Sequence, residues 1–184
     1  LPDNNQIAAT VRQWVDTVVV SLNLCPFAKR ELDLERVRFV VSDAITEQAL
    51  LVGLEAELDL LEKDASIATT LLIHPRVLET FYDYNQFLNY AEGLLQAMKL
   101  DGVYQIASFH PDYQFGGTEP ADAENYTNRS PYPVLHLLRE ESLERVLEST
   151  EHSEQIPIRN IKLMNSMGST QLSALLQSCL DLDA

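Results

Sequence analysis

Two segments of the chain end on the same dipeptide, Ile73-His74-Pro75 and Phe109-His110-Pro111, and a third histidine, His136, interrupts the apolar run from Val134 to Leu138. Imidazole is the usual general acid or base near neutral pH and a common transition-metal ligand, so three rings on one sheet can build either kind of site. His110 leads as the catalytic residue. Asp112, Tyr113, Asn125, Asn128 and Arg129 follow it in irregular sequence and offer donors and acceptors around the ring, with Asp112 and Glu119 the acids placed for proton transfer. A bound transition metal, the one cofactor considered, would be held by His110 with His136 or His74, although no HExxH-type spacing supports it. His152, in the polar run from Glu151 to Gln155, reads as solvated.

A thiol offers a second chemistry. Cys25 precedes Pro26 and is followed by Lys29 and Arg30, a pattern that suits a helix-capping cysteine with proline in the first helical position. Helix-terminal N–H groups and nearby cations lower a thiol pKa, which makes Cys25 the expected reactive cysteine and Cys179, on an apolar helical stripe, the inert one. Cys25-Pro26-Phe27-Ala28 resembles the thiol site of omega-type glutathione transferases and, more loosely, of glutaredoxins. A long helix rather than a strand leads into it, which argues against a thioredoxin-like fold.

Arginine supplies the third feature. Arg129, Arg139 and Arg159 surround a stretch that has no lysine or arginine from Asp101 to Asn128, and guanidinium forks so placed suit a carboxylate or phosphate. Arg129 and Arg139 bracket a strand-length segment and cannot share one ligand. Arg129 is therefore paired with His110 as the anion site, with Asn128, Tyr113 and Tyr132 beside it, while Arg139 and Arg159 form an outer set in which Arg139 leans toward a structural role.

These groups need elements to hold them. Ile7, Val11, Trp14, Val15, Val18 and Leu22 recur at helical spacing and predict a first amphipathic helix ending near Asn23. Strands are expected over Arg36 to Val41, Ile67 to Ile73, Val103 to Phe109 and Val134 to Leu138. Helices are expected from about Ala44 to Lys63, around Phe87 to Met98, behind Glu140, and as two pieces from Ile156 to Leu182 broken at Gly168-Ser169. Such alternation is the α/β class: a single domain with about four strands, mainly parallel or mixed, in unknown order. Open α/β sheets bind ligands at the carboxyl edge, where His74 and His110 would emerge. The segment 110–133, rich in Gly, Pro, Asn, Asp and Tyr, is longer than an idle connection and would wall the pocket.

Composition narrows the partners. With 28 acidic against 13 basic residues the net charge is −15, and no basic cluster is large enough for the phosphate contacts of nucleic-acid binding. Two cysteines build no disulfide framework, and no apolar run reaches the length of a membrane span. A cytoplasmic setting with no membrane and no nucleic acid is expected.

The blocks Asn23-Leu24-Cys25-Pro26-Phe27-Ala28, Phe109-His110-Pro111 with Tyr113-Gln114-Phe115, Asn128-Arg129-Ser130-Pro131-Tyr132-Pro133 with His136-Leu137-Leu138-Arg139, and Arg159-Asn160 span most of the chain. By them it resembles the bacterial family catalogued as domain of unknown function 1415. The resemblance brings no activity, substrate or cofactor with it. The reading of the residues is a small-molecule enzyme acting on an anionic metabolite through His110 and Arg129, with Cys25 joining if its helix turns it inward. The alternative is a binding or regulatory module that meets a protein partner through the 110–133 loop.

Overall fold

A computed structural model describes residues 2–149 and 153–181, so His152 lies outside the described residues. The chain begins with α1 (Asn4–Trp14), started by a capping box in which the Asp3 carboxylate accepts from the Gln6 N–H while the Gln6 side chain accepts from the Asp3 N–H. The expected single helix then changes character. Val15–Val20 is π-helical, in a run where valine and threonine, stiff at χ1, are weak helix formers.

After the short α2 (Ala28–Asp33) the chain forms β1 (Val37–Val41), α3 (Glu47–Lys63), β2 (Thr69–Ile73), α4 (Phe81–Ala97) and β3 (Tyr104–Phe109). Thr46 and Thr80 cap α3 and α4, their hydroxyls accepting from Ala49 and Asp83 N–H groups. The 110–133 segment carries a 3₁₀ turn, Ala123–Thr127, before β4 (Val134–Arg139). The chain then forms α5 (Glu140–Ser149), a second 3₁₀ turn (Ser153–Gln155), α6 (Ile156–Met167) and α7 (Ser169–Leu180).

The strands make one four-stranded mixed sheet in the order β1-β2-β4-β3, so the domain is α/β. β1 and β2 are parallel, whereas β4 runs antiparallel to both β2 and β3. β1, β2 and β3 thus point the same way, and β4 separates β2 from β3.

Strand alternation divides the core. Leu72, Leu135, Leu137 and Tyr104 pack against Leu50, Leu54, Leu58 of α3 and Tyr84, Phe87, Ala91 of α4. Leu71, Ile73 and Val134 face the other way, against Ile7, Val11 and Trp14 of α1, Met164 of α6, and Leu172 and Cys179 of α7. Among the described residues no helix is long and apolar enough to cross a membrane.

Arg139, at the end of β4, closes the far end of α3. Its guanidinium donates to the carbonyls of Leu61 (2.5 Å) and Ile67 (3.2 Å) and to the Tyr104 hydroxyl (2.7 Å), and it lies over the Tyr104 ring. Replacing it frees carbonyls that no neighbour can satisfy. Arg139→Met is expected to lower stability by about 2–3 kcal/mol in urea unfolding, the worth of hydrogen bonds from a charged group. A loss below about 0.5 kcal/mol, the range of ordinary surface changes, would contradict this anchoring role.

Candidate active site

The carboxyl edge of the sheet holds the two His-Pro histidines. Both side chains point to the α4 face, where His74 stacks on Tyr84 (centroids 5.7 Å apart) and Tyr84 in turn meets His110 (5.1 Å). His110 is fully buried. Its Nδ1 accepts from the Asp112 N–H (3.0 Å), which leaves Nε2–H to donate to the Leu78 carbonyl (3.1 Å). Leu78 is held at φ +60, a strained value for a branched residue, so the bond fixes an unusual loop turn. Burial lowers the His110 pKa. A ring with both nitrogens committed to main chain is a structural strut, which corrects its assignment as acid/base. The Asp112 side chain is exposed, and its N–H serves this strut.

The 110–133 segment is tied to itself. Asn125, buried, accepts from the Phe115 N–H and the Thr118 hydroxyl and donates to the Glu119 carbonyl. Arg129 donates through Nε to the Tyr113 carbonyl (3.1 Å) and through Nη2 to the Pro120 carbonyl (2.7 Å), and lies over the Tyr126 ring. Asn128 donates to the Ser108 carbonyl. The Tyr113 ring packs between Phe81 and Phe115, and Tyr132 joins the core on the helical side. The loop therefore spends its polar groups on its own shape. A cleft does open nearby at the carboxyl edge, between residues 45–48 and 76–83, but in its lining Glu47, Glu79 and Asp83 outnumber Arg76, itself paired with Asp43, and disfavour an anion.

His136 corrects the histidine cluster most directly. It pairs across β4 with Leu71 and Ala107, on the sheet face opposite His74 and His110. The sheet thus stands between the three rings, and among the described residues no group of three metal-ligating side chains assembles.

On that opposite face lies a partly open cavity of about 170 Å³. Its floor is Thr69, Leu71, Ala107, Phe109, His136 and Leu138 from the sheet; its roof includes Trp14, Val15 and Val19, Cys25 and Phe27, Glu31 and Leu32, and Leu143 of α5. Cys25 and His136 therefore line one space, while His110 and Arg129 do not line it, so the composite Cys25–His110–Arg129 site does not form. Val15 and Val19 belong to the π-helical segment, a geometry that recurs at functional sites.

Hydrogen bonding sets the tautomer of His136. The Thr69 hydroxyl donates to the Leu137 carbonyl (2.6 Å), so the 2.8 Å contact with His136 must have Nε2–H as donor. Nδ1 keeps its lone pair. Burial pushes the ring pKa down to about 4, so it is a neutral base at pH 7.

Helix α2 is capped by Phe27 rather than by Cys25, which lies two residues before the cap and corrects the expected helix-capping cysteine; backbone hydrogen bonds at Phe27 and Ala28 still favour the thiolate. Burial outweighs them and raises the pKa, which corrects the expectation of an acidic thiol. Lys29 cannot help, being turned to Asp33 at 2.8 Å.

The loop before Cys25 is pinned from α6. Arg159 donates to the carbonyl of Asn23, itself at φ +51, and Asn160 donates to the Leu24 carbonyl (2.9 Å). Arg159 and Asn160 thus position the thiol. Sequence reading did not single out Thr69, Glu31 or Trp14; the only visible signals were a Thr-Thr pair inside an apolar strand and the helical spacing of Cys25, Ala28 and Leu32.

Two of the buried rings make stability depend on pH. His74 and His136 hold folded pKa values of about 4 against an ordinary 6.5. Above about pH 6.5 neither the folded nor the unfolded state protonates them, and stability is unaffected. Below it the unfolded chain takes up protons that the folded chain refuses, until the folded rings titrate near 4. Stability should fall through this window by up to roughly 1.4 kcal/mol per pH unit for each ring, and His136→Gln should remove one share. A slope unchanged by that substitution would show that His136 is not buried neutral.

Comparison with known proteins returns a single match. No curated protein and no solved structure matches, whereas the model of one family, described as protein of unknown function DUF1415, matches residues 6–174. With nearly the whole chain inside that match, the protein belongs to the DUF1415 family.

Proposed function

We propose that this chain is a small-molecule enzyme whose site is the cavity between the N-terminal helices and the sheet, with Cys25 as nucleophile and His136 as its base. The observation that carries the reading is that one thiol and one imidazole with an uncommitted Nδ1 line the same cavity. A neutral imidazole lining the same cavity gives the thiol proton an acceptor as sulfur attacks, the arrangement of an activated nucleophile. The Arg159–Asn160 clamp supports it, since it holds the loop that carries Cys25 without adding to a hydrophobic core. The loop tyrosines support the protein-docking alternative less well, because Tyr113, Tyr126 and Tyr132 are partly buried and packed inward.

The test uses one-ring chloroacetamides on the folded protein, with the alkylated residue mapped by mass spectrometry. Cys25 should be labelled faster than in the urea-unfolded chain at the same pH, while Cys179 should remain unlabelled. His136→Gln should slow labelling of Cys25 with little change in melting temperature, by about the hundredfold that a positioned base contributes. Labelling of Cys25 slower in the folded than in the unfolded chain would make it a shielded structural thiol and end this reading.

A further inference from the structure

The cavity describes its ligand in four respects. Its volume of about 170 Å³ is close to the roughly 150 Å³ of an engineered apolar cavity that accepts benzene, which limits the buried body to one ring or a short chain. The walls are Val15, Val19, Phe27, Leu32, Leu71, Phe109 and their neighbours, so that body is hydrocarbon.

Charge is the third respect. Glu31, 5% exposed, lines the cavity, and its Oε2 lies 3.4 Å from Arg36 Nε. Neither lysine nor arginine lines the cavity among the described residues. An anionic ligand would meet a buried carboxylate without a free cation, which turns selection toward neutral molecules.

The fourth is hydrogen bonding. Trp14, 2% exposed and in the cavity wall, has an indole N–H with no partner. A buried donor left unpaired costs about 1–3 kcal/mol, and an acceptor brought by a ligand recovers it. The Phe27 backbone N–H, directed at the Cys25 sulfur, is a further donor beside the reacting atom, whereas the Ala28 N–H is engaged by the Cys25 carbonyl at 3.3 Å.

One functional group meets these conditions together with a nucleophilic sulfur. We infer that the cavity takes a neutral carboxylic ester or thioester with a one-ring or short-chain acyl body, and that Cys25 accepts the acyl group. This rests on the reading of Cys25 and His136 as nucleophile and base. In the step, the Cys25 sulfur bonds to the carbonyl carbon and its proton passes to His136 Nδ1. The carbonyl oxygen, charged in the tetrahedral intermediate, takes the N–H donors. The bond to the leaving oxygen or sulfur then breaks, and His136 returns the proton to it, releasing an alcohol or thiol. Water, or a second thiol, removes the acyl group from Cys25 by the same proton traffic.

The experiment treats the full chain with 4-nitrophenyl acetate, butanoate, benzoate, decanoate and hydrogen succinate. It follows nitrophenolate release together with the mass added to the Cys25 peptide. Butanoate and benzoate should acylate Cys25 faster than decanoate or succinate by about tenfold or more, the scale on which a fitted apolar pocket discriminates. Cys25→Ala should abolish the adduct, and Ala107→Leu, which narrows the floor without touching the thiol, should slow benzoate more than acetate. Acylation of Cys25 without preference for size or charge, or favouring succinate, overturns the inference. Absence of any acyl adduct on a Cys25 that still reacts rapidly with one-ring chloroacetamides overturns it too, and leaves the thiol reading standing. Silence toward both reagents removes both.

Discussion

The hydroxyl of Tyr84 is the point on which the architecture turns. It donates to the Val134 carbonyl at 2.7 Å and accepts from the Phe109 N–H at 3.0 Å, joining the start of β4 to the end of β3. Beside it the His74 N–H reaches the Pro133 carbonyl and the His110 N–H reaches the Asn128 carbonyl. Six main-chain groups at a sheet edge, each costly to bury unpaired, are thereby satisfied where a long connection re-enters as an antiparallel strand. Burial holds the Tyr84 phenol protonated, so the hydroxyl can donate and accept at once. The rings of His74 and His110 pack against it and tie the loop after β2 to the same spot through the Val77 and Leu78 carbonyls. The two His-Pro dipeptides are thus the two halves of one structural device.

That device frees the opposite face. With β4 inserted between β2 and β3, its even-numbered residues Val134, His136 and Leu138 lie with Leu71 and Ala107 under the N-terminal helices. The first helix changes to π geometry there, and Cys25, His136 and Thr69 border a space that side chains leave open. A polar trio in an apolar enclosure is expensive unless it is satisfied. Thr69 and His136 satisfy each other and the Leu137 carbonyl, which leaves one imidazole lone pair and one thiol for a guest.

The elements were largely legible in the sequence, because hydrophobic period and cap residues act locally. Asp3, Thr46 and Thr80 mark helix starts, and the apolar runs at 69–73 and 134–139 mark strands. The site was legible only in its members. Alternation alone sets His136 opposite Leu135 and Leu137, but which face that is depends on register against β2, and register is fixed by strand order, which local patterns do not encode. Arginines misled for a similar reason. Arg129 and Arg139 look like free forks in a basic-poor stretch, yet the carbonyls they serve, Pro120 and Tyr113 in one case and Leu61 and Ile67 in the other, are unpaired only once the chain has folded. The Cys25 motif placed the helix start two residues early and misjudged the thiol's acidity, because burial is a property of the whole packing.

The clamp on the loop before Cys25 also sets an order of assembly. Arg159 and Asn160 stand 136 residues beyond the Asn23 and Leu24 carbonyls that they hold. During synthesis the thiol leaves the ribosome well before the side chains that fix its surroundings. Contacts of such long sequence separation are won late in folding, after loop closure has been met by other interactions. Until then the cysteine resides in an open, hydrated segment, where the desolvation that raises its pKa is absent. The nascent chain therefore carries a solvent-reachable thiol, and its burial waits for the helix that bears Arg159 and Asn160.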